Sequence, residues 1–308
     1  MGAMTSRPAL RRARAREAGE AYGGVLSREL LAALGVDHRA IGREIAGMRW
    51  RSVGYRTIAL HLEPLPQLAV HWRAVWETSS RLATLDGVSA LLAAGLTGFD
   101  EAVVHVSVPH GWRPPAVEGV RRHHLTRVEG ESLPTGIPRA TAAIAAVRAA
   151  HWAVSDRQAA LLLVLPVQQR LVRPGDLVRA AGVVRARTRR ALVPQLVADI
   201  ADGAHSLGEL DFAALCREHG LPEPERQVVR RGPFGRIYLD VRWAGCQLVV
   251  EIDGAPHRMG LAVMDDNLRQ NEVVISGERV LRLDLVGLRL QPRVFMAQVV
   301  RAFHAIGS

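Results

Sequence analysis

Asp240, Glu251 and Asp253 are three carboxylates set into apolar sequence at a spacing that brings them together. Asp240 lies in Ile237-Tyr238-Leu239-Asp240-Val241-Arg242-Trp243, and the other two lie in Cys246-Gln247-Leu248-Val249-Val250-Glu251-Ile252-Asp253-Gly254. Both stretches are rich in Val, Ile, Leu and aromatic residues and read as β-strands, with Ala244-Gly245 as a two-residue turn between them. Such a turn pairs Trp243 with Cys246 and Asp240 with Val249. Side chains alternate along a strand and paired residues share a face, so all three acids point the same way, with Asp240 diagonal to Glu251. Clustered carboxylates on apolar strands are costly unless a cation or a proton compensates them. A hard divalent cation such as Mg²⁺ does so through oxygen ligands. The competing reading is a hairpin with one solvated face, where charged residues are ordinary.

Positioning such a site takes a folded domain, and 308 residues suffice for two or three. Hydrophobic residues make up 48% and the mean hydropathy is +0.06, values of a soluble globular chain. No apolar run reaches the length of a membrane span. The arginine-rich stretch Arg7–Arg16 has no apolar segment after its charges, so a secretory signal is not expected and cytoplasmic residence is. The net charge of +10 and an isoelectric point near 11.1 favour a polyanionic partner, with nucleic acid first among them. All 40 basic residues are arginine. A nucleotide-composition bias explains arginine in place of lysine, but not the excess of bases over acids. Cys216 and Cys246 form no CxxC pair and read as buried residues. His123 and His124 are adjacent, so on a strand they face opposite ways, which argues against a shared metal.

Residues 1–20 read as a basic N-terminal tail, a frayed helix. Within 21–62, Leu26, Leu30, Leu31 and Leu34 recur at helical spacing, with Ser27 as an N-cap or first-turn residue. Asp37 caps a second helix whose apolar face is Ile41, Ile45 and Met48, and whose other face carries Arg39 and Arg43. Trp50–Leu60 reads as two short strands about a turn, containing Arg51 and Arg56 and preceded by Arg49. Helix, turn, helix, hairpin is the order of a winged helix-turn-helix, in which the second helix enters the major groove and nearby arginines meet phosphates. Residues 63–205 read as an α+β middle domain with no defensible catalytic cluster, and Trp72 and Trp76 there read as core residues. Helices are expected at 81–96, 136–150, 156–166 and 191–201, and strands at 103–109 and 117–124. Arg185, Arg187, Arg189 and Arg190, with Arg179 before them, crowd ahead of the helix at 191–201 as a solvated face or a phosphate-contacting patch. In 206–308 the expected order is a helix at 212–220, strands at 227–230, 237–243 and 246–253, a helix opening at Asp265, a strand at 280–285, and a last helix Pro292–His304.

Residues 20–62, through GVLSRELLAALGVDHRAIGREIAGMRWRSVGYRTIAL, resemble the N-terminal domain of AbiEi-type antitoxins. Residues 207–304 are similar to the PD-(D/E)xK nuclease superfamily, most closely to a domain family related to the very-short-patch repair endonucleases. This likeness is carried by Asp240, then EIDGAPH from Glu251 to His257, then Asp266 and Arg269, then GERVLRLD, in an αβββαβα order. The implied fold class is a multidomain α+β chain: an N-terminal winged helix, an α+β middle segment and a restriction-endonuclease-like C-terminal domain. The implied chemistry is phosphodiester hydrolysis assisted by Mg²⁺ or Mn²⁺. Asp240 and Glu251 would be metal ligands, and the peptide carbonyl of Ile252 often completes such sites. His257 would serve as general base or leaving-group acid, and Arg269 would hold the phosphate or lock Asp266. The superfamily pattern places lysine two residues after the second acid, where this chain has Asp253. That carboxylate could bind a second metal or orient His257. The very-short-patch enzymes also lack this lysine and use histidine chemistry. The alternatives are a catalytically silent, antitoxin-like DNA-binding regulator and a protein-interaction partner with incidental basic patches. Winged helices often work in pairs and double-strand cutting needs two sites, so a homodimer is a further expectation.

Overall fold

The computed structural model describes residues 7–126, 132–133, 135–202, 209–232, 235–253 and 279–305, without the side chains of 202, 209–211, 226–232, 235–240, 253 and 284–286. The chain is α+β and forms two compact units, Met1–Ala149 and Ala150–Ser308. Their boundary falls inside a helix, Ala142–Trp152, and within the segment 63–205.

The first unit opens with α1 (Arg7–Glu20), followed by β1 (Val25–Ser27), α2 (Arg28–Ala33), α3 (His38–Ala46), β2 (Arg51–Ser52) and β3 (Thr57–Ala59). The first helix is docked rather than frayed. Ala15 is fully buried beside Leu26, Leu31, Ile41, Trp50 and Ile58, and Arg12 pairs with Glu44 at 3.2 Å. Ser27 caps α2, its Oγ accepting from the Leu30 N–H at 3.1 Å. A cap of this kind stabilises by about 1 kcal/mol. Asp37 caps α3 by accepting from the Ala40 N–H at 2.7 Å, and this bond holds its carboxyl below the ordinary range. Strands β1, β3 and β2 form an antiparallel sheet in that order. The expected apolar face of α3 needs one correction. Met48 lies past the helix end at φ 52° and is 72% exposed, while Glu44 is buried on the inner face.

Helix α4 (Gln67–Ser79) lays Trp76 and Trp72 against Tyr22, with the indoles stacked at 5.0 Å. A mixed five-stranded sheet follows, in the order β6-β5-β4-β8-β7. Its strands are β4 (Thr84–Leu85), β5 (Val104–Pro109), β6 (Val120–Leu125), β7 (Ser132–Leu133) and β8 (Arg139–Ala140). The segment 81–96, expected to be one helix, is divided: β4 comes first, and α5 (Gly87–Ala93) begins only after Asp86 caps it. Helix α6 (Ala142–Trp152) then leads to the boundary.

The second unit contains α7 (Asp156–Gln168), α8 (Pro174–Val183), α9 (Leu192–Asp202) and α10 (Glu209–Glu218). Next come β9 (Glu225–Gly232), β10 (Gly235–Trp243), β11 (Leu248–Asp253) and β12 (Arg279–Asp284), then α11 (Leu285–Leu290) and α12 (Pro292–His304). The sheet order is β12-β11-β10-β9, with β11 and β12 parallel and the other pairs antiparallel. One sheet face builds the core. Val241, Trp243, Leu248, Val250, Ile252 and Leu283 pack with Phe212, Cys216, Met296 and Val299 of the helices. Both cysteines are free and buried.

Candidate functional site

Backbone alternation assigns the acids to the face of this sheet away from that core. Ala244–Cys246 form a 3₁₀ turn and Gln247 adopts a left-handed conformation at φ 50°, so the connection is longer than two residues. Trp243 pairs with Leu248, Arg242 with Val249 and Val241 with Val250. The expected register is thus displaced by two residues. An even displacement keeps every side chain on its face. Carried one residue further, the observed register sets Asp240 opposite Glu251 rather than diagonal to it, which shortens their separation. On the parallel strand, Glu251 pairs with Arg282 and Asp253 with Asp284. Alternation therefore assigns Asp240, Glu251, Asp253 and Asp284 to one face, together with Arg242 and Arg282.

This face is not openly solvated at its centre. Val249, which alternates onto it, is fully buried, and the Glu251 side chain is only 14% exposed. Arg282 Nε donates to Glu251 Oε2 at 3.1 Å. Arg242 Nη1 lies 3.5 Å from Glu225 Oε2, between register partners on β10 and β9. Ile252 is buried in the core cluster. Asp240 and Asp253 are placed by their backbones alone, and His257, Asp266 and Arg269 lie outside the described residues. Carboxylate oxygens form a hard donor set, which suits Mg²⁺ or Mn²⁺. Among the described residues, no group of three His, Cys, Asp or Glu side chains could hold a metal. That set leaves out the side chains of Asp240, Asp253 and Asp284.

The arginines expected to meet DNA fall into two groups. Arg39 and Arg43 are exposed on the outer face of α3, and Arg185, Arg187 and Arg190 are exposed before α9. Arg51 and Arg189 are engaged within the fold, and Arg49 and Arg56, though exposed, lie against acidic side chains. Arg49 folds back onto Glu44 at 2.5 Å, Arg51 Nη2 donates to the Glu63 carbonyl at 2.8 Å, and Arg56 lies 4.0 Å from Glu29. Arg189 donates to Asp156 at 2.7 Å and to the His151 carbonyl at 3.3 Å. Burial pushes the Glu44 carboxyl up, but its bonds from Arg49 and Arg12 outweigh this and hold it below the ordinary range.

Sequence reasoning passed over two constellations in the first unit. Glu77 of α4 is buried and accepts from the Tyr55 N–H at 2.9 Å, the Arg56 N–H at 2.8 Å and Thr57 Oγ1 at 2.7 Å. It thereby fixes the turn between β2 and β3. A Cβ on Gly54 would sit 2.4 Å from the Glu77 carboxyl, so that turn needs glycine. Tyr55 is left 87% exposed at the tip. The second constellation centres on Asp86, which accepts from the Gly87 N–H at 2.7 Å, Ser107 Oγ at 2.5 Å and Arg148 Nη1 at 2.8 Å. Burial pushes its carboxyl up, against the opposing pull of Arg148. Beside it, His123 Nε2 meets His105 Nδ1 at 3.0 Å across the parallel pair β5–β6. Burial lowers the His123 pKa to about 3, aided by the charge of His105. His123 and His105 belong to this buried network. The only signal available in sequence was polar residues at inward strand positions.

No family model matches the chain, and no curated protein matches it. Among solved structures, it is similar to the crystal structure of the RV2827C protein from Mycobacterium tuberculosis, at 15% identity and a TM-score of 0.40, over 73% of this chain and 87% of that one. A likeness this distant defines neither fold nor function here. No helix among the described residues is long and apolar enough to cross a membrane.

Proposed function

We propose that this chain is a DNA-binding protein with a metal-dependent endonuclease site, in which residues 21–62 act as a winged helix-turn-helix and residues 206–308 as a restriction-endonuclease-like domain. The observation that supports this reading is the strand register, from which alternation assigns Asp240, Glu251, Asp253 and Asp284 to one face, with the Glu251 side chain only 14% exposed. A merely solvated face would leave Glu251 in water. Asp240, Glu251 and the Ile252 carbonyl would hold the cation, with Asp253 and Asp284 on the same face beside them. A divalent cation in such a site supplies Lewis-acid activation of a phosphodiester. His257 would move the proton and Arg269 would hold the phosphate. The exposed Arg39 and Arg43 on one helix face, and Arg185, Arg187 and Arg190 before α9, would meet backbone phosphates.

The test titrates a mixed-sequence duplex across a salt series, with cleavage followed in Mn²⁺. Affinity is expected to fall steeply as salt rises, and Arg39→Ala with Arg43→Ala should weaken binding and lower the slope by about 2, one unit per lost phosphate contact. Salt-insensitive binding would sink the DNA reading. A second reading, the catalytically silent antitoxin-like regulator, is favoured by two features. Glu251 is already matched by Arg282, and Asp253 stands where the nuclease pattern has lysine. That reading expects DNA binding without cleavage, unchanged in Glu251→Ala.

A further inference from the structure

Glu251 and Arg282 are register partners on parallel strands, and their side chains meet at 3.1 Å while only 14% and 27% exposed. A charge-assisted bond this far out of water is stronger than one on an open surface. It occupies a carboxylate oxygen and offsets charge that a divalent cation would otherwise draw on. Arg282 cannot relieve this by losing its proton, because guanidinium stays charged at every working pH. The neighbouring strand thus supplies the positive charge that Glu251 needs from within the fold.

Resting on the reading of this face as a metal site, we propose that Arg282 is a built-in competitor for Glu251: it holds the carboxylate in the metal-free protein and must release it, at one oxygen or both, for a divalent cation to bind. Arg282 thereby sets the metal affinity of the site. The metal-free sheet stays stable because the acid is matched, and the site loads only when the cation outcompetes a bonded guanidinium.

The test measures Mn²⁺ binding to the full chain by the electron paramagnetic resonance signal of free Mn²⁺, with thermal unfolding in EDTA and in Mn²⁺. Arg282→Gln is expected to tighten Mn²⁺ binding about tenfold, the equivalent of roughly one charge-assisted bond. It should also melt lower than the wild type in EDTA and recover more on adding Mn²⁺, since a ligand stabilises in proportion to its affinity. Arg282→Lys keeps the charge without the planar fork, so it should fold well and tighten binding by a smaller factor. Glu251→Gln should remove the binding. Mn²⁺ affinity that is unchanged or weaker in both Arg282 variants overturns the competition while leaving the metal site standing. Absence of Mn²⁺ binding in the wild type and in both Arg282 variants overturns the metal reading itself, and the competition with it.

Discussion

At the scale of single residues, Glu77 decides the shape of a turn twenty residues before it. Its carboxylate accepts from two backbone N–H groups and one hydroxyl. Removing it leaves Tyr55 and Arg56 N–H groups without their partner in a part-buried place. Hydrogen bonds to charged groups contribute about 1.5–3 kcal/mol each in favourable cases and are not additive. Glu77→Ala is therefore expected to cost about 2–4 kcal/mol in urea unfolding of the full chain, while Thr57→Val, which removes one bond, costs less. A Glu77→Ala variant within about 0.5 kcal/mol of the wild type, the usual range for a surface change, would contradict the clamp. Nothing in the order of residues revealed this pairing, because a hairpin tip and the last turn of a later helix have no shared periodicity. Arg282 was hidden for a similar reason. It stands in an alternating strand that sequence shows plainly, yet its place opposite Glu251 depends on a parallel register across residues 254–278.

At the scale of elements, alternation made β10, β11 and β12 legible, and helix spacing gave α12 to the residue. Odd and even spacing assigns the acids of the sheet to one face, and the observed register, displaced by an even number of residues, leaves that backbone assignment unchanged. Their distance could not be read from sequence, since the 3₁₀ turn at Ala244–Cys246 moved the register by two. Strand β1 escaped notice because Val25-Leu26-Ser27 merges into the apolar spacing of α2, and only pairing with β3 makes it a strand. The inward polar positions of β5 and β6 have a consequence for pH. His123 titrates at about 3 and His71 of α4 at about 4, against an ordinary 6.5, both chiefly through burial. Between those values the unfolded chain binds protons that the folded chain refuses. Stability is thus intact above pH 6.5 and declines as the pH falls toward about 3–4. Asp86, whose carboxyl is raised by burial, acts in the opposite sense. The melting temperature should drop between about pH 7 and pH 4.5, and His123→Gln should flatten that drop. A melting temperature constant over this range would contradict the buried neutral imidazoles.

At the scale of the whole molecule, charge was the most legible property and the least specific. A net +10 points to a polyanion, but several of the arginines counted toward it are spent inside the fold on Glu44, Asp156 and backbone carbonyls. Pairing within the fold, which sequence does not reveal, separates Arg49 and Arg189 from the exposed Arg39, Arg43, Arg185, Arg187 and Arg190. The central claim is that the face of the four-stranded sheet bearing Asp240 and Glu251 cuts DNA. The most direct measurement is relaxation of a supercoiled plasmid in Mg²⁺, Mn²⁺ or EDTA by the wild type, Asp240→Ala and Glu251→Ala. Metal-dependent nicking that EDTA stops, reduced by about a thousandfold or more in both variants, is the predicted result. Intact plasmid in every metal, with the three proteins binding the same DNA equally well, would contradict it.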